Sequence, residues 1–167
     1  MGLDMYLYSA PKIDGMNLQE VLVANGRLSE LKEEQNEIYV RVKPYIKDFE
    51  EFDYSWSSLV EEVAYWRKAN QIHNWFVENI HNGIDDPCFT QEVTNETLND
   101  LYNLCLNVLT RKDHPAGILP ARPGCFFGST EYDDFYYNEI DQTQSILASL
   151  LKNFNFETHY LLYQCSW

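Results

Sequence analysis

Residues 2–9 read Gly-Leu-Asp-Met-Tyr-Leu-Tyr-Ser, and apolar residues alternate there with polar or aromatic ones. Successive side chains of a strand point to opposite faces, so Leu3, Met5 and Leu7 share one face. Residues 156–165, close to the other end of the chain, alternate in the same way. Two strands that are each half apolar are expected to pair in one antiparallel sheet, with helices covering one side.

The segments between these two strands carry mostly helical spacing. Apolar residues at intervals of three and four positions predict a helix where they recur over several turns. The predicted helices span 17–35, Ser57–Ile80, 94–109 and 131–153, and a short strand over 38–42 ends at Pro44. Residues 111–128, with three prolines, predict a long ordered loop. The sequence therefore predicts an α+β fold: a small antiparallel sheet that includes the N- and C-terminal strands, packed by three to four helices.

Length and composition restrict the class of protein. A chain of 167 residues fits a single domain, 1–167, and a hydrophobic fraction of 45% is enough for a packed core. The net charge of -14 excludes a broad nucleic-acid interface, because phosphate backbones are bound by Lys and Arg. The start lacks a signal peptide, and no apolar run is long enough for a membrane span. We expect an acidic, cytoplasmic protein with no membrane contact.

The four cysteines, Cys88, Cys105, Cys125 and Cys165, show no Cys-x-x-Cys pair and no metal-ligand spacing. We therefore predict free thiols in a reducing compartment, and neither a metal site nor a cofactor.

Two polar residues lie inside the apolar arc of the predicted 57–80 helix. Asn70 and His73 fall between Trp66 and Val77 on the helical wheel. A buried polar group without a partner costs about 1–3 kcal/mol, so each needs a protein partner or a ligand. One interpretation is a core pair bonded to backbone or to a tyrosine hydroxyl, and the other is a pocket wall. Zinc ligation is disfavoured, because no second histidine follows His73 at i+4.

The second candidate segment is Gly128–Asp133. Ser129 or Thr130 is placed to cap the following helix, and Glu131 and Asp133 suit its positive end. Alternatively, the backbone N–H groups at this helix start could bind a phosphate or a carboxylate. Tyr132 adds an aromatic ring to this segment.

Four stretches together resemble a family of small uncharacterised proteins from bacteriophage and bacterial genomes. They are residues 1–7 (MGLDMYL), 66–76 (WRKANQIHNWF), 126–133 (FFGSTEYD) and the Ser166-Trp167 pair. The resemblance implies a phage, prophage or bacterial setting and supplies no catalytic residues. Relative to shorter members, residues 10–56 are a candidate insertion within the domain.

Three functions are compatible with these features. The first is a non-enzymatic protein that binds a small polar, nucleotide-like ligand between the 57–80 helix and the 126–133 turn, with Trp66 or Tyr132 stacking on it. The second is an acidic interaction module that inhibits a host protein through residues 49–56 and the 17–35 helix. A small hydrolase or transferase that uses His73 as a base is the third.

Overall fold

The computed structural model describes residues 2–87, 89–111 and 113–167. In chain order its elements are β1 (Asp4–Pro11), α1 (Leu18–Gly26), α2 (Leu28–Glu33), α3 (Glu37–Val42), a 3₁₀ turn (Lys43–Tyr45), β2 (Lys47–Glu51), β3 (Tyr54–Ser58), β4 (Glu61–Arg67), α4 (Asn70–Asn79), β5 (Thr90–Glu92), α5 (Asn95–Arg111), α6 (Pro115–Ile118), α7 (Asp134–Asn153) and β6 (His159–Ser166). This content confirms the predicted α+β class.

The main sheet has four antiparallel strands in the order β4-β1-β6-β5. Strand β1 is central, and Met5 lies opposite Trp66 on β4 and Cys165 on β6. The predicted pairing of the first and last strands is therefore confirmed. Strands β2 and β3 form a separate two-stranded hairpin.

The main hydrophobic core lies between one face of this sheet and the helices α4, α5 and α7. Met5 and Leu7 on β1, and Leu3 just before it, are fully buried there, as their alternation predicts. Phe76 of α4 stacks on Tyr163 of β6 with ring centroids 3.9 Å apart. The stack joins the helix that carries both predicted polar residues directly to the sheet.

A second, smaller hydrophobic cluster forms beneath α1, α2 and α3. Its buried members are Ala10, Ile13, Val21, Ala24, Leu28, Leu31, Val42, Leu59 and Leu162. Most of them come from residues 10–59, so this segment has an apolar cluster of its own and meets the sheet through Ala10 and Leu162. That residues 10–56 are an insertion stays a prediction.

The predicted helix over 57–80 is wrong in its first half. Residues 61–67 form strand β4, where buried Ala64 and Trp66 alternate with exposed Tyr65 and Arg67. Helix α4 begins only at Asn70. The segment is a strand because it pairs with β1. Hydrogen bonds to a distant strand cannot be predicted from the spacing of apolar residues within one segment.

The predicted strand over 38–42 is also wrong, because this segment is helix α3. Asn36 caps the helix by accepting a hydrogen bond from the Ile38 amide, and only Val42 of the alternating set is buried. The predicted 17–35 helix is divided at Arg27 into α1 and α2.

Helix α7 begins at Asp134 rather than at Glu131. Its cap is Asp133, whose Oδ1 accepts from the amides of Phe135 and Tyr136. The prediction that Ser129 or Thr130 caps this helix is therefore wrong. The loop over 111–128 contains the one-turn helix α6.

Within the described ranges, Cys105, Cys125 and Cys165 are free thiols, and no helix is long and apolar enough to cross a membrane. Cys88 lies outside the described residues, as do Met1 and Lys112.

Trp66 makes a buried hydrogen bond whose removal should be measurable. Its indole Nε1 donates to Thr143 Oγ1 at 3.0 Å, which ties β4 to α7. We expect Thr143→Val to lower the free energy of unfolding by about 1–3 kcal/mol, because the indole N–H loses its acceptor. Urea denaturation measures the change. Thr110→Val is the control, since that hydroxyl bonds only to Leu106 O on an exposed helix face. Equal costs for the two variants would contradict the prediction.

Candidate functional site

The junction between β4 and α4 sets the position of the candidate site. Lys68 turns the chain with a positive φ of 62°, and α4 starts two residues later at Asn70. Gly128 lies against this turn with φ 96°, and a Cβ there would come within 3.4 Å of Lys68 Cβ. The positive φ favours glycine at position 128, and a Cβ there would only reach ordinary van der Waals contact with Lys68.

Asn70 holds the loop before α7 against the start of α4. Its Nδ2 donates to Phe127 O at 3.2 Å and to Ser129 O at 2.8 Å. Its Oδ1 accepts from the Arg122 amide at 3.1 Å. The side chain is 2% exposed. Its bonds to backbone groups agree with the interpretation of Asn70 as a core residue that is satisfied within the protein.

A pocket of about 330 Å³ opens beside this clamp, between the β4–α4 junction and the start of α7. Its lining residues are Arg67, Lys68, Asn70, Gln71, Gly128, Ser129, Glu131, Asp133, Phe135, Tyr136 and Glu139. Five of the nine predicted site residues are among them. The structure thus brings the 70 and 128–133 segments to one cavity.

Gln71 gives this pocket an unusual polar group. The side chain is 3% exposed, and its Nε2 has no hydrogen-bond partner among residues 2–87, 89–111 and 113–167. Leaving a buried donor unpaired costs about 1–3 kcal/mol, and such groups are rare in folded proteins. An acceptor atom of a ligand in the pocket would satisfy it.

The pocket carries charges of both signs. Arg67 and Lys68 lie on the strand side, and Glu131, Asp133 and Glu139 lie on the α7 side. Burial raises the pKa of the Glu139 carboxyl, because desolvation disfavours the charged form. Such a lining suits a ligand that has an anionic group at one end and hydrogen-bond donors at the other.

No protein-family model matches this chain, and comparisons with curated proteins and with solved structures gave no match. The resemblance to phage and bacterial proteins stays a prediction.

Four of the predicted residues lie outside the pocket lining. Trp66 is 3% exposed and points into the core, so it does not offer a stacking surface there. Tyr132 accepts a hydrogen bond from the Ala121 amide and packs edge-on against Tyr136. Thr130 is exposed on the turn.

His73, the fourth, is fully buried in a separate polar network on the other side of α4. Its Nε2 lies 3.0 Å from Asp85 Oδ1 and its Nδ1 lies 2.8 Å from Tyr163 Oη. Asp85 also accepts from Arg122 Nε at 2.9 Å and from Trp167 Nε1 at 3.2 Å. Burial lowers the pKa of His73, and the nearby Asp85 charge opposes that shift.

This network leaves His73 no free nitrogen for a substrate. A carboxylate only accepts, so Nε2 carries the hydrogen and Nδ1 accepts from the Tyr163 hydroxyl. A general base needs a nitrogen within reach of the proton that it abstracts. The geometry therefore favours the binding hypotheses over the hydrolase or transferase hypothesis.

Several residues of both regions were not predicted. Gln71 follows Asn70 directly, but a helix drawn through 57–80 gave it no special position. Arg67 ends β4 and Lys68 forms the turn after it, and a continuous 57–80 helix contains neither feature. Asp85 and Tyr163 reach His73 from a loop and a strand distant in sequence, so no local spacing signals the contact.

The Asn70 clamp yields a stability prediction. We expect Asn70→Ala to lower the free energy of unfolding by about 1–3 kcal/mol, since two carbonyls and one amide lose their partner. Amide hydrogen exchange over residues 120–131 should become faster. Asn79→Ala is the control, because Asn79 donates only to Trp75 O of its own helix. Unchanged exchange in Asn70→Ala would contradict the clamp.

Proposed function

We propose that this chain is a binding protein for a small polar ligand, held in the pocket between the β4–α4 junction and the start of α7. The single observation that carries the proposal is the unpartnered Gln71 Nε2, buried at the wall of a cavity that also contains five predicted site residues. Its volume of about 330 Å³ is at the lower end of ligand pockets, which suits a molecule of nucleotide size or smaller.

The charges of the lining indicate how such a ligand would lie. An anionic group, such as a phosphate or carboxylate, would face Arg67 and Lys68, and donor groups would face the carboxylates of Glu131 and Glu139. An acceptor oxygen or ring nitrogen would meet Gln71 Nε2. A nucleotide offers all three kinds of group, which supports the nucleotide-like version.

The aromatic contact differs from the one expected from the sequence. Phe135 stands at the pocket with 78% of its surface exposed, whereas Trp66 and Tyr132 are engaged elsewhere. Phe135 therefore takes the stacking role in the proposal. The amides of Phe135 and Tyr136 at the start of α7 already donate to Asp133. The anionic group is therefore assigned to the side chains of Arg67 and Lys68.

The proposal is tested by replacing Gln71 with a residue of similar shape. We expect Gln71→Met to abolish ligand binding and to raise the free energy of unfolding of the ligand-free protein by up to about 1 kcal/mol, because it removes an unpaired buried donor. Calorimetry against nucleoside monophosphates, diphosphates and cyclic nucleotides measures binding, and urea denaturation measures stability.

Gln91→Met is the matched control, because Gln91 lies on β5 and does not line the pocket. It should leave ligand binding unchanged. If no compound of the nucleotide panel gives a heat of binding, a nucleotide is excluded as the ligand. A ligand whose affinity is the same in Gln71→Met and in the unaltered protein would refute the proposed site.

A second candidate function rests on a different face of the molecule. Phe49 and Trp56 stack across the β2–β3 hairpin with ring centroids 5.4 Å apart. Between this hairpin and the main sheet lies a cleft of about 710 Å³, whose walls include Tyr8, Glu61 and Glu62. An aromatic and acidic cleft can bind Lys or Arg side chains through cation–π and ionic contacts. This supports the hypothesis that the chain inhibits a basic host protein.

For this second candidate, we expect Glu62→Lys to weaken binding of an Arg- and Lys-rich peptide at least tenfold at low salt. Glu62 is exposed at the cleft, and its reversal places a like charge against the peptide. Fluorescence anisotropy of a labelled peptide measures the affinity. Glu96→Lys is the control, because it changes the net charge by the same amount at an exposed position of α5 that does not line the cleft. Equal loss in both variants would mean that net charge, and not the cleft, attracts the peptide.

A further inference from the structure

Three residues from separate parts of the chain bring metal-ligand atoms together. His73 belongs to α4, Asp85 to the segment after it and Cys165 to β6. Their ligand atoms, a ring nitrogen, a carboxylate oxygen and a thiol sulfur, all lie within 4.8 Å of one another. The ligands of a tetrahedral zinc ion stand about 3.4 Å apart at ordinary bond lengths. Shifts on the order of 1 Å would therefore bring all three onto one ion.

A second observation points to a ligand at this place. His81 is 1% exposed, and neither of its ring nitrogens makes a hydrogen bond of normal geometry within the described ranges. Its ring lies 5.3 Å from that of Tyr163, centroid to centroid, and the Tyr163 hydroxyl contacts His73. His81 is therefore a buried imidazole that packs against the tyrosine contacting His73, and its nitrogens lack a hydrogen bond of normal geometry. It is a candidate for a further contact with an ion.

The outer contacts that orient metal ligands are also present. A ligating histidine nearly always has a partner on its other ring nitrogen, and Tyr163 Oη lies 2.8 Å from His73 Nδ1. A ligating carboxylate is itself hydrogen-bonded, and Arg122 Nε lies 2.9 Å from Asp85 Oδ2. In the ion-free protein His73 Nε2 donates to Asp85 Oδ1 at 3.0 Å, and Trp167 Nε1 donates to the same oxygen. An ion would replace the hydrogen bond between His73 and Asp85.

We propose that His73, Asp85 and Cys165 form a binding site for a divalent transition-metal ion of the zinc class. Thiolate and imidazole ligands favour zinc over magnesium or calcium, which require oxygen ligands. The site is separate from the Gln71 pocket. It differs from the expectation drawn from the sequence, in which the spacing of cysteines and histidines predicts no metal site.

Ion binding moves the hydrogen on the His73 ring and removes the one on the Cys165 thiol. His73 gives up the hydrogen on Nε2 and gains one on Nδ1, so the imidazole stays neutral and the Tyr163 hydroxyl changes from donor to acceptor. The Cys165 thiol releases its proton to solvent and binds as thiolate. One proton is released per ion, and the charges of the thiolate and the Asp85 carboxylate neutralise the two charges of the metal. Arg122 keeps its contact with the outer oxygen of Asp85.

The test is a Co²⁺ titration of the full chain after treatment with a chelator, because cobalt replaces zinc and reports thiolate ligation by near-ultraviolet charge-transfer absorption. We expect saturation at one ion per chain and displacement by Zn²⁺. Cys165→Ser should abolish the charge-transfer band. Asp85→Asn should lower Co²⁺ affinity at least tenfold while keeping the band.

Two cysteine variants serve as controls, and circular dichroism verifies that each variant is folded. Cys105→Ser alters a buried thiol in the core, and Cys125→Ser alters an exposed one; both should keep the band and the affinity. If Cys165→Ser does not fold, the affinity of Asp85→Asn decides. Absence of the band in the unaltered protein, its survival in Cys165→Ser, or an unchanged affinity in Asp85→Asn overturns the proposal.

Discussion

The carboxamide of Asn70 is the interaction on which both polar regions of this protein depend. Three backbone groups from the segment between α6 and α7 bond to it, and that segment has little regular structure of its own. By fixing Ser129 O, the amide positions one wall of the pocket. By fixing the Arg122 amide, it places the guanidinium where it meets Asp85 and, through Asp85, His73. An amide side chain suits this task because it donates and accepts at once.

Helix α4 therefore separates two environments of different chemistry. On one side Gln71 faces an open cavity with charges of both signs. On the other side His73 is fully buried, and both of its ring nitrogens are engaged, one with Tyr163 Oη and one with Asp85 Oδ1. The stack of Phe76 on Tyr163 fixes the helix to the sheet between them, so neither side can shift without moving the core.

The sequence predicted best what depends on local alternation and on long periodic helices. Leu3, Met5 and Leu7 identified β1, and the helices α5 and α7 were placed to within a few residues. It failed where tertiary pairing overrides spacing, as in β4, whose Trp66 bonds to Thr143 on a helix far along the chain. Asn70 drew attention as a polar residue in an apolar arc, and residues 128–133 did so through their helix-start pattern; both line the same pocket. Asp85 and Tyr163 were missed, since only the fold brings them to His73.

In the part of the chain that the structure describes, Gln71 Nε2 and the two ring nitrogens of His81 are the buried side-chain atoms without a hydrogen bond of normal geometry. Each costs about 1–3 kcal/mol, a large part of the roughly 5–15 kcal/mol by which a domain of this kind is stable. An apolar residue of similar volume at either position would avoid this cost, because it has no polar atom to leave unpaired. A ligand that binds only the folded state returns the lost stability by mass action. The two groups lie at different sites, because Gln71 lines a pocket with charges of both signs and His81 packs against the ring of Tyr163. The chemistry required to satisfy them therefore also differs.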